Sequence, residues 1–85
     1  MTLRQKLIKM LVDKGLFESQ ATEIITQSIK IIDSKQGEYK VTWDRPADEY
    51  PDVCISLWFM ETIKPATLAW IDKNKPQAWF RPIFE

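Results

Sequence analysis

The sequence predicts an all-α protein: a small three-helix bundle in which an αα-hairpin packs on a long central helix kinked near Pro65. Three observations lead there. Residues 1 to 34 carry two apolar stripes at helical spacing, divided by Gly15. Residues 51 to 74 are apolar around most of a helical circumference, and such a helix is normally enclosed by other elements or by a membrane. Only residues 38–43 alternate at a period of two, and a lone strand needs a partner, so they are read as an extended strap beside the bundle. An aromatic tail closes the sequence. Residues 1–85 make a single helical domain, because two units of that combined length would each lack a core.

The first helix opens at Thr2, whose hydroxyl suits an N-cap. Leu3, Leu7, Met10 and Leu11 form its stripe, with Ile8 and Val12 widening it. Gly15 is expected just past its end, where glycine adopts the left-handed conformation without a steric penalty. After the apolar pair Leu16-Phe17, Ser19 reads as the N-cap of a second helix. Its buried set is Ala21, Ile24, Ile25, Ile29, Ile31 and Ile32, with Ser28 on the same face. A short turn joins the two into an αα-hairpin.

Gly37 ends the helical pattern, and Tyr39, Val41 and Trp43 then alternate with polar neighbours. The strap either covers the bundle or presents an edge to another chain. The acidic loop from Asp44 to Asp52 lacks the spacing and central glycine of a calcium loop, so no metal is expected there. Asp48 and Asp52 are instead expected to cap or charge the start of the central helix.

On a straight wheel, Val53, Leu57, Met60, Leu68 and Ile71 gather on one side with Ile63 close by. Ile55, Thr62, Ala66 and Ala69 line the back, where another helix can come near. Pro51 suits the beginning of this helix, and Lys73, Asn74 and Lys75 before Pro76 mark its end. Pro65 lies inside, where proline removes a backbone bond and crowds the carbonyl of Glu61. A kink near Glu61–Pro65, or two abutting helices, is the expectation. Asp52, Glu61, Lys64 and Asp72 interrupt the apolar run too often for a membrane span.

Composition narrows the chemistry. Twelve basic residues balance twelve acidic ones, so no net field draws the chain to nucleic acid or to an anionic membrane. Histidine is absent, which removes the commonest general base near neutral pH and the commonest metal ligand. The single cysteine, Cys54, has no internal disulfide partner, and a reducing cytoplasm is the expected setting. Without a partner base it reads as an inert thiol. The N-terminal pattern is charged and amphipathic, so no signal peptide is expected. An enzyme is not expected, and no cofactor is called for.

The tail after Pro76 carries Trp79, Phe80, Arg81, Pro82 and Phe84. A stretch this apolar either folds back over the bundle or docks on a partner. Tyr39, Trp43, Trp79, Phe80, Arg81 and Phe84 form the candidate interaction surface, since tryptophan, tyrosine and arginine are enriched at binding hot spots. A homodimer through the strap or the tail is an open expectation.

Leu11-Val12 with Gly15-Leu16-Phe17, Trp43-Asp44-Arg45-Pro46 with Tyr50-Pro51, and above all Leu68-Ala69-Trp70-Ile71-Asp72 followed by Trp79-Phe80-Arg81-Pro82, resemble a group of small bacteriophage and prophage proteins. Pro65 departs from that pattern. The resemblance brings no catalytic residues. It implies a phage accessory protein in the cytoplasm of a bacterial host, and with the composition it suggests one that binds and inhibits or modulates a host defence or regulatory complex. A nucleic-acid-binding accessory protein is the alternative, with little clustered positive charge to support it.

Overall fold

The computed structural model describes residues 1–35, 42–74, 82 and 84. Helix α1 spans Leu3–Asp13 and starts on a capping box. The Thr2 hydroxyl accepts the Gln5 N–H at 3.2 Å, and the Gln5 side-chain carbonyl accepts the Thr2 N–H at 2.9 Å. The next two amides are satisfied from far along the chain. Leu3 N–H donates to the Arg45 carbonyl and Arg4 N–H to the Trp43 carbonyl, both at 2.9 Å. Ala47 N–H returns a bond to the Met1 carbonyl at 3.0 Å. Residues 43–47 thereby clamp the beginning of α1.

The other end closes as the sequence predicts. Gly15 takes a φ of 114°, which admits glycine without a Cβ clash. Its N–H reaches the Val12 carbonyl, and Leu16 N–H reaches Leu11, the paired bonds of a Schellman motif. Leu16 and Leu11 are both buried, the apolar contact that accompanies this motif.

Helix α2 spans Glu18–Lys35. It begins one residue ahead of Ser19, so Ser19 is not its cap. The Gln20 side-chain carbonyl accepts the Phe17 N–H at 3.0 Å, and Ala21 N–H bonds to the Phe17 carbonyl. A glutamine reaching back thus replaces the expected serine. Ala21, Ile24, Ile25, Ile29 and Ile32 enter the core with Leu3, Leu7 and Leu11 of α1. Ile31, expected among them, lies toward solvent. Ser28 is fully buried and answers its own polarity by donating to the Ile24 carbonyl at 2.8 Å.

After a 3-10 turn at Ala47–Glu49, the long rod begins. It runs as α3 (Asp52–Trp58), a π turn (Phe59–Ile63) and α4 (Lys64–Asn74). Pro51 stands at the N-cap of α3 with no side-chain cap bond, and Asp52 opens the first turn. α2 packs on the π turn and on α4, completing a three-helix bundle. Among the described residues there is no strand, only an isolated bridge between Thr2 and Pro46. The strap at 38–43 lies outside the described residues apart from Thr42 and Trp43.

The departure expected near Pro65 is the π turn. Lys64 N–H bonds to the Phe59 carbonyl five residues back, and Pro65, which has no N–H to give, follows immediately. Widening the turn ahead of proline relieves the crowding that would kink a regular helix. The widened turn has a larger effect on burial. One additional residue rotates everything beyond it by about 100° relative to a straight helix.

The straight wheel therefore merges two different faces. Ile55 and Thr62 are buried ahead of the bulge or within it, as the back strip suggests, while Ile63, Thr67, Trp70 and Ile71 are buried from there onward. Val53, Leu57 and Met60, expected inside with Ile71, face solvent. The rod is enclosed along α4 and open along α3.

Candidate functional site

Three large apolar side chains, two on α3 and one on the π turn that continues it, stand out of the fold. Val53, Leu57 and Met60 are 71, 54 and 60% exposed. Their spacing of four and three residues places them in one line along about two turns. Ile55, two positions from Leu57, is 3% exposed, which anchors the opposite side of α3 in the core. The face is thus held rigidly outward by the burial of its own reverse.

Its supports are aromatic. Trp43 is 5% exposed and stacks at a tilt on Trp58 with ring centres 5.3 Å apart, while Tyr50 meets Trp58 at 6.1 Å. Trp43 Nε1 donates to Asp33 Oδ1 at 3.0 Å, and the Tyr50 hydroxyl donates to the Thr42 carbonyl at 3.1 Å. These contacts join the segment before α3 to the end of α2. At the far end of α3, Lys14 Nζ lies 5.8 Å from the ring centres of both Phe59 and Phe84.

The segment that carries the face is acid-rich in sequence, with cations from α1 and its C-cap set against it. Between residues 44 and 63, Asp44, Asp48, Glu49, Asp52 and Glu61 stand against Arg45 alone. Arg4 meets Asp44 at 3.2 Å, Lys6 meets Asp52 at 3.6 Å and Arg45 meets Glu49 at 3.7 Å, all at least partly in water. Such pairs contribute little to stability, commonly under about 1 kcal/mol each. Asp48 and Glu61 form no ion pair among the described residues. Neither Asp48 nor Asp52 makes a side-chain cap bond to α3.

Two of the six residues expected on an interaction surface lie in the core instead. Trp43 is held by Trp58 and Asp33, and Phe84 is 2% exposed beside Lys14. Their large apolar area is spent on closing a short chain, where every aromatic anchor counts. Tyr39, Trp79, Phe80 and Arg81 lie outside the described residues. The α3 face was missed because a straight wheel carries Val53 into register with Ile71. The available signal was Pro65 itself, read as a change of phase rather than a bend.

Other features are weaker. An open groove of about 790 Å³ runs between α1 and the start of α3, with Lys6, Lys9, Asp48 and Asp52 among its walls. Cys54 is half-buried. Among the described residues, no three His, Cys, Asp or Glu side chains gather as metal ligands do, and no helix is long and apolar enough to cross a membrane. No protein family, curated sequence or solved structure matches this chain.

Proposed function

We propose that this chain is a non-enzymatic protein–protein interaction module that engages its partner through the outer face of α3. The observation that carries this reading is the line of Val53, Leu57 and Met60, each more than half exposed on a helix whose reverse is core. Scattered exposed apolar residues are ordinary, but a rigid aligned set on one element is how a helix face meets a groove or another helix. The sequence has no histidine. The setting proposed is the cytoplasm of a phage's bacterial host, as the resemblance implies, and the role proposed there, on the composition, is to inhibit or modulate a host complex. The acid-rich segment around α3 disfavours the nucleic-acid alternative on that face, because phosphate repels it.

Capture from bacterial lysate by the wild-type chain and by Leu57→Asp, compared side by side, tests the reading. A discrete protein retained by the first and lost by the second supports it. Equal retention by both, or none by either, overturns it.

A further inference from the structure

We propose that Pro65 is the positioning residue that turns the α3 face outward. Without it, the same chain runs as one regular helix with that face closed against the bundle. The inference rests on the reading of the face as a docking surface and assigns what presents it. Val53 precedes Ile71 by about five full turns of a regular helix, and Met60 precedes it by about three. An unbroken α register therefore puts both on the line of Ile71, which is buried, with Leu57 beside them. The π turn at Phe59–Ile63 breaks that register. Val53, Leu57 and Met60 face solvent, and Ile55 takes the inward place.

What holds the wide turn is local. In a regular helix the Pro65 ring crowds the Glu61 carbonyl and gives it no N–H, and a π turn just ahead avoids that clash. Pro65 itself is exposed, so replacing it removes no core packing. Nor do the neighbouring helices fix α3: α2 packs on the π turn and on α4, but neither α1 nor α2 packs closely along α3. Its inward contacts are the buried Ile55 and the half-buried Trp58, which meets Trp43 and Tyr50. The ion pair of Lys6 with Asp52 lies largely in water. A rotation of about 100° exchanges Ile55 and Trp58 for Val53 and Met60, one apolar side for another. Burial alone therefore separates the two registers poorly, and the proline decides between them. Alanine at this position restores the N–H and lifts the crowding, which favours the regular register.

The experiment follows maleimide labelling of single cysteines in the full chain, with Cys54→Ser removing the native thiol. Val53→Cys and Ile55→Cys are each labelled with and without Pro65→Ala. Pro65→Ala is expected to slow labelling at position 53 by about tenfold or more and to speed it at position 55 by a similar factor. That reciprocal exchange marks a turned helix, whereas a merely loosened one labels faster at both positions. Unchanged labelling, or faster labelling at both, overturns the proposal. Circular dichroism and a cooperative thermal transition confirm folding, and Pro65→Gln replaces Pro65→Ala if the latter does not fold. Failure of both to fold overturns the proposal too, because the regular register is a folded state. Pro65→Ala is also expected to lose the Leu57-dependent capture from lysate. Reciprocal labelling with capture undiminished supports the role of Pro65 in the register and overturns the docking reading. Capture lost without the exchange overturns the role of Pro65 and leaves the docking reading intact.

Discussion

Trp43 Nε1 donates to the Asp33 carboxylate at 3.0 Å, tying the segment that returns from the end of α2 back onto that helix. Asp33→Ala leaves a buried indole N–H without an acceptor, and a loss of about 1–3 kcal/mol is expected. Urea unfolding followed by tryptophan emission measures it. A midpoint unchanged from wild type would show that the bond contributes nothing to the fold.

Trp70 offers the opposite case. It is buried and its Nε1 has no hydrogen-bond partner among the described residues. Trp70→Phe removes an unsatisfied donor along with some packing area, so the two effects oppose each other. Trp43→Phe loses both packing and a made bond. The expected order of destabilisation is Trp43→Phe above Trp70→Phe, read from paired denaturation curves; a reversed order contradicts the assignment of the two indoles.

Ile55 and Leu57 test the orientation of α3. Truncating the buried Ile55 to alanine is expected to cost about 2–5 kcal/mol. Leu57→Ala, on the open side, is expected to stay within about 0.5 kcal/mol of wild type. Thermal unfolding of the two variants distinguishes them. Similar losses would mean that Leu57 is covered in the free protein.

The π turn yields a prediction about length. Deleting Met60 in a Pro65→Ala background removes the additional residue and the proline together. The buried sides of α3 and α4 then fall into register on a regular helix. The shortened chain is expected to keep its helical circular dichroism and a cooperative transition. Collapse of that transition would show that the wide turn is required for some reason other than phase.

Gly15 is predicted to resist replacement. At a φ of 114°, a Cβ meets the neighbouring carbonyl, so Gly15→Ala is expected to cost about 1–2 kcal/mol. The same denaturation series checks it, and a neutral result would mean that the turn reforms with another geometry.

Most of the bundle is legible in the residues because local periodicity reports it directly. The apolar spacing of Leu3, Leu7 and Leu11, and of Ile24, Ile25 and Ile32, places the core faces of α1 and α2, and Gly15 marks the turn between them. The rod is legible only in extent. Its phase depends on one inserted residue ahead of Pro65, a non-local matter decided by which sides α2 covers. The candidate site goes astray with it, since Val53, Leu57 and Met60 count as core on an uninterrupted wheel. Trp43 and Phe84 mislead differently: bulk suited to a hot spot is equally suited to closing a small interior.

The bonds that complete the beginning of α1 carry a consequence for biosynthesis. The carbonyls that receive the amides of Leu3 and Arg4 belong to Arg45 and Trp43, some forty residues downstream. A nascent chain exposes α1 well before those acceptors emerge, so the start of that helix stays frayed until Trp43 and Arg45 have cleared the ribosome. Premature termination short of Trp43 would leave a hairpin whose leading turn never locks.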